Sequence, residues 1–123
     1  LQLVGKKKLP FLEEVEACKI VDLQRRGVSK FSLEVQVIRL SRDLAIVTLP
    51  GEVFVQLGLA IKRDSPFKQT IVIELTNHAS AYIPTTKAFK EGGYEVVNSR
   101  VQPGGGEALV EAAGRLLRKL ALQ

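Results

Sequence analysis

Four side chains in this 123-residue chain have the types and spacing for chemistry at one polar centre: Glu52, His78, Tyr82 and Tyr94. Tyr82 and Tyr94 are the only tyrosines and lie twelve positions apart. Between them Pro84 fixes one backbone angle and Gly92-Gly93 frees others, so the segment can aim a ring from each end back toward one place. A free phenol titrates near pH 10, so at neutral pH it is a donor unless a cation beside it favours the phenolate. Such a pair supports a division of labour. One phenol binds a metal ion, and the other stays neutral and donates to a carbonyl oxygen that is gaining charge. The alternative is two amphipathic rings at the edge of a core, the commoner use of tyrosine.

Glu52 follows an apolar run at 44–49 and the Pro50-Gly51 turn. A buried strand that stops at a tight turn holds the next side chain at the sheet's edge, where sites on α/β folds often lie. A carboxylate there suits a metal ligand or a general base. The competing reading is a glutamate opening a helix, stabilised by the helix dipole by roughly a few tenths of a kcal/mol. His78 is the only histidine, and a zinc site asks for several nitrogen or sulfur ligands. It therefore reads as a loop histidine, on the surface or hydrogen-bonded. Cys18 is also alone, so no internal disulfide exists. It falls beside Val15 and Val21 and reads as a small buried hydrophobe. The run from Pro103 to Glu107 lacks the Lys-Ser/Thr ending of a phosphate loop and reads as a hinge before a helix.

The elements that must position these residues follow from periodicity. Residues 1–9 read as a flexible lead-in, and 10–123 as a single α/β segment. Pro10 suits a first helical turn, Phe11, Val15 and Cys18 recur at helical spacing, and Gly27 can close the helix in a left-handed conformation. Leu33, Val35 and Val37 alternate with Glu34 and Gln36, predicting a strand with one wet face. Residues 44–49 are almost all apolar and predict a central strand buried on both faces, paired with the first as a hairpin. Residues 53–61 fit strand or helix, with helix favoured; Ser65-Pro66 ends it. Residues 70–75 read as an interior strand, 86–90 as a short helix and 95–97 as a brief last strand. Leu109, Ala112, Ala113, Leu116, Leu117 and Leu120 mark an amphipathic helix. The sum is α/β, a small mixed sheet covered by helices.

Composition excludes some classes. The apolar fraction of 46% and charged fraction of 25% are those of a globular chain. No run is long and apolar enough to cross a bilayer, and no signal-peptide pattern opens the chain. Position 1 is leucine and methionine is absent, which reads as a processed chain or a piece of a longer one. The net charge of +5 comes from scattered residues and the Lys6-Lys7-Lys8 cluster, without interleaved aromatics, so nucleic acid is not an expected partner.

The run LPGEVFVQLGLAIKRDSPFKQTIVIELTNHASAYIPTTKAFKEGGYE, followed by GGGEALVEAAGRLLRKL, resembles the neutral/alkaline non-lysosomal ceramidases, above all their bacterial ceramidase-like members. The resemblance covers roughly residues 10–120, and the tyrosine interval matches that family's paired tyrosines. These enzymes hydrolyse the amide of ceramide with zinc and water. The resemblance implies that Glu52 and Tyr82 are zinc ligands, joined by two histidines from earlier in the polypeptide, and that Tyr94 assists catalysis at the substrate carbonyl. It implies a larger α/β hydrolase domain of which this chain is the C-terminal part, inactive by itself. An N-acyl lipid would be the substrate and the upstream part of the same polypeptide a partner. A membrane surface would be an admissible place of work, in a secreted or periplasmic protein. Three departures stand out. The histidine ligands are not in this chain. Ala79 replaces the family's tyrosine. Gly92-Gly93 follows the ceramidase-like branch, whose substrate need not be ceramide. A non-enzymatic α/β binding or assembly domain that keeps the scaffold is the alternative. A piece of a larger domain should also expose an apolar face, at 33–40 or 70–75.

Overall fold

The computed structural model describes residues 10–27 and 30–123; the expected lead-in at 1–9 lies outside the described residues. The chain divides into two compact units, residues 1–32 and 33–123. The first holds α1 (Phe11–Arg26), which starts after Pro10 and ends at Gly27 in the left-handed region, φ 62°. Glu13 and Glu14 in its first turn oppose the positive end of the helix dipole. Cys18 is exposed, not buried as its apolar neighbours suggested. Phe11 and Ile20 are exposed on this helix as well, so apolar spacing alone was a poor guide to burial there.

The second unit is built on a three-stranded mixed sheet in the order β1-β2-β4. β1 (Gln36–Arg39) and β2 (Leu44–Thr48) form the expected antiparallel hairpin, with Ile38 opposite Ile46. The chain then makes a two-residue strand β3 (Glu52–Val53), helix α2 (Val55–Arg63) and β4 (Gln69–Ile73), which returns parallel to β2. A second sheet pairs β3 with β5 (Tyr82–Ile83) in parallel. Helices α3 (Thr86–Glu91), α4 (Tyr94–Val97) and α5 (Gly105–Ala121) complete the unit. No helix among the described residues is long and apolar enough to cross a membrane. The architecture is α/β, a small mixed sheet covered by helices.

One face of the three-stranded sheet makes the core. Alternation along β2 sends Ala45 and Val47 to that face, and Leu49 continues the row beyond the strand. They meet Leu57 and Ile61 of α2 and Leu109, Ala113 and Leu117 of α5, with Phe67 and Ile83 closing the cluster. Gly106 permits this packing: a Cβ there would stand 2.5 Å from Leu57 Cδ1 and 2.9 Å from the Pro84 carbonyl oxygen. Arg39 ties β1 to the end of α5 by donating from Nη1 to the Leu120 carbonyl at 3.0 Å. The opposite sheet face carries the register row Ile38, Ile46 and Ile71, with Ile38 and Ile71 exposed.

Several local readings are corrected. β2 is central, but Leu44 and Ile46 are only half-buried, so it is not enclosed on both faces. β4 is an edge strand among the described residues, not an interior one, although it is β-branched throughout its middle. Residues 95–97 lie in a helical turn instead of a strand. Gly92 and Gly93, at φ 77° and 119°, swing the chain into it, and Asn98 closes it with its backbone N–H and Nδ2 on the Tyr94 carbonyl. Finally, α5 begins at Gly105, inside the glycine run that read as a hinge.

Candidate functional site

The Leu49-Pro50-Gly51 turn sets the geometry. Gly51 adopts φ +71°, and a Cβ on it would lie 2.6 Å from both the Ala81 carbonyl oxygen and Ser80 Oγ. Only a residue without a side chain lets the segment 75–81 pass this close. That segment is strained: Leu75, Asn77 and Ala81 all have positive φ, at 55°, 62° and 67°. Each such residue costs about 1–2 kcal/mol, least for Asn. The strain is held by hydrogen bonds to the turn. Leu75 N–H donates to the Gly51 carbonyl at 3.0 Å, and Gly51 N–H donates to the His78 carbonyl at 2.8 Å. Thr76 donates to the Leu49 carbonyl from its backbone at 3.1 Å and from Oγ1 at 2.9 Å. Glu52 N–H then donates to the Ala81 carbonyl at 3.0 Å and starts the pairing of β3 with β5.

That pairing puts Glu52 directly beside Tyr82. Paired residues on adjacent strands present their side chains to the same side, about 4.8 Å apart along the hydrogen-bond direction. The Glu52 carboxylate, as a hydrogen-bond acceptor and a negative charge beside the ring, raises the Tyr82 phenol's pKa above its ordinary value. Smaller contributions come from burial, Tyr94 and Glu95. Tyr82 is half-buried, and its carbonyl accepts from Ser99 Oγ at 2.9 Å, where Ser99 forms a bridge on the other side of β5. The Glu52 reading as a helix-opening glutamate fails: two strand residues and Phe54 separate the turn from α2.

Tyr94 reaches the same place from the first residue of α4. Its ring meets that of Tyr82 edge-to-face, with centroids 5.9 Å apart and planes at 72°. This is a favourable aromatic geometry. Tyr94 is 58% exposed, so a substrate can approach it from solvent. The structure thus brings Glu52, Tyr82 and Tyr94 together from three separate stretches of chain. His78 is exposed in the 75–81 loop and contributes its backbone to the turn.

Three further residues shape the site and escaped the sequence reading. Ser99 holds β5 from its far side, Glu95 adds negative charge near Tyr82, and Glu74 Oε2 accepts Val53 N–H at 2.7 Å. Glu95 was legible as the neighbour of Tyr94; Ser99 and Glu74 carry no signal in spacing. Ser80 is fully buried two residues before Tyr82, and its Oγ has no hydrogen-bond partner.

A carboxylate and a phenol oxygen on paired register positions are two oxygen donors that one cation could share. They make half of a four-coordinate shell. No group of three or more His, Cys, Asp or Glu that could hold a metal occurs among the described residues. The chain's own donors therefore fit a zinc ion only as part of a larger ligand set. No family model matches the chain, and neither does any curated protein or solved structure.

Proposed function

We propose that this chain is the C-terminal part of a zinc-dependent amidase of the neutral ceramidase type, with Glu52 and Tyr82 as zinc ligands and Tyr94 serving the substrate carbonyl. The observation that supports this most is the register pairing of Glu52 with Tyr82 across β3 and β5, with the Tyr94 ring packed against that of Tyr82. A bound zinc would supply a Lewis acid and bring a water's pKa to about 7.

The chain's own residues have distinct parts. The 75–81 segment and the Gly51 turn fix Glu52 and Tyr82 at adjacent register positions. The edge-to-face contact orients Tyr94 relative to that pair. Its phenol is then free to donate to a carbonyl oxygen that gains charge as the amide carbon is attacked. An N-acyl lipid is the substrate class.

The test uses the polypeptide that contains the two histidine ligands. Tyr94→Phe is expected to lower kcat by about 10²–10³ with zinc content intact. Tyr82→Phe is expected to reduce zinc occupancy. This chain by itself should bind zinc only weakly, since two ligands leave the shell unfinished. Zinc content unchanged by Tyr82→Phe, or stripped by Tyr94→Phe, overturns the assignment. A binding or assembly role is the second reading; the apolar face exposed at Ile71, Ile73 and Leu75 is the one expected of a piece of a larger domain, and it suits an assembly surface equally.

A further inference from the structure

Among the described residues, β4 is an unpaired edge. Gln69 N–H donates to the Asp43 carbonyl at 2.9 Å and the Ile73 carbonyl accepts from Leu49 N–H at 2.8 Å, so the odd-numbered residues of β4 face β2. In a strand the intervening residues face the other way, which turns the backbone groups of Thr70 and Val72 outward. An exposed, β-branched edge of this kind is a template for another strand. Beside it runs a groove of about 270 Å³, between β4 and α2, lined by Val55, Gly58, Leu59, Lys62, Val72 and Glu74 among others.

The ends of this groove carry opposite charges. α2 runs antiparallel to β4. Its start lies by Glu74, whose carboxylate takes Val53 N–H, and its last turn leads through residues 64–68 back to the start of β4. Glu74 therefore marks one end and Lys62 the other. We propose that the partner of this edge is a second copy of the same chain, joined by antiparallel β4–β4 pairing about a two-fold axis at Val72. Two-fold symmetry places Thr70 opposite position 74 of the other copy, so each Lys62 meets the other copy's Glu74. The charge pattern is self-complementary. The same operation sets Ile71 beside Ile73 of the other copy on the open face and extends the sheet to six strands. On the other face it brings Val55 and Leu59 of the two α2 helices, 66% and 58% exposed, together over the seam.

The test is the association state of the chain by sedimentation equilibrium from about 1 µM to 1 mM. A monomer–dimer equilibrium is expected. Lys62→Glu and Glu74→Lys should each weaken it about tenfold, because each reversal acts at two symmetric places. The double variant K62E/E74K should associate more tightly than either single variant, although a lysine at position 74 cannot accept the Val53 N–H that Glu74 takes. Amide exchange of Thr70 and Val72 should slow with rising concentration in the original chain. Circular dichroism of each variant at low concentration checks that the monomer is folded. A chain that stays monomeric throughout, a dimer unaffected by both single reversals, or one that leaves Thr70 and Val72 unprotected overturns the proposal.

Discussion

Replacing Gly51 by alanine tests the central claim about the site, that one close backbone passage holds Glu52 next to Tyr82. Two terms add. An alanine at φ +71° is in the left-handed region and loses about 1–2 kcal/mol. Its Cβ would also stand 2.6 Å from the Ala81 carbonyl oxygen and from Ser80 Oγ, and 3.2 Å from Ile83 Cδ1. The first neighbour is backbone in a segment already pinned by hydrogen bonds, so it cannot give way cheaply. Overpacking of this kind costs about 1–3 kcal/mol. The sum is about 2–5 kcal/mol, a drop in Tm of roughly 10–30 °C for a unit of this size. Gly104→Ala is the control. Gly104 has φ +92° but nothing within 4 Å of a built Cβ, so only the backbone term applies, about 1–2 kcal/mol. Urea unfolding followed by circular dichroism measures both. Equal losses at positions 51 and 104 would show that the passage is not sterically tight, and the account of how Glu52 is placed would be wrong.

Further outcomes follow from other parts of the unit. Leu117 is fully buried between α5 and the sheet, so Leu117→Ala should destabilise by about 2–5 kcal/mol in the same urea assay. Thr85 caps α3 by accepting Ala88 N–H on Oγ1 at 3.1 Å, and Thr85→Ala should cost about 1 kcal/mol of unfolding free energy. Glu107 gives a pH dependence. Burial pushes its carboxyl up, but the Thr86 N–H donating to Oε1 at 2.7 Å, with the polar groups of its own backbone and the Thr86 side chain nearby, outweighs that and holds it below the usual range. A depressed folded-state value stabilises the fold above the unfolded carboxyl's pKa, near 4.3, and that stability is lost as pH falls through the folded value. Urea midpoints of the original chain and Glu107→Gln should therefore differ at neutral pH and converge in acid. A constant gap across that range would refute the role given to the charge.

The chain's sequence determined its helices and its hairpin through local signals. Heptad-like apolar spacing and a rising hydrophobic face marked α5, Pro10 and Gly27 bracketed α1, and the alternation at 33–37 with the apolar run at 44–49 marked the paired strands. The same run and the Pro50-Gly51 turn marked the end of β2 just before Glu52, but not the two-residue strand β3 that Glu52 opens. What failed were features decided by neighbours distant in sequence. A β-branched stretch such as 69–73 looks the same in a central strand and at an edge, because only the presence of a partner on its far side distinguishes them. The short helix at Tyr94 was hidden because four residues carry no period, and the two glycines before it permit many directions. The juxtaposition of Glu52, Tyr82 and Tyr94 belongs to tertiary structure. It depends on a strained segment, residues 75–81, whose positive φ values at Leu75 and Ala81 no local preference would select. Those conformations persist because Leu49, Gly51 and Glu52 supply the hydrogen bonds that hold them, and these partners meet only once the sheet has formed.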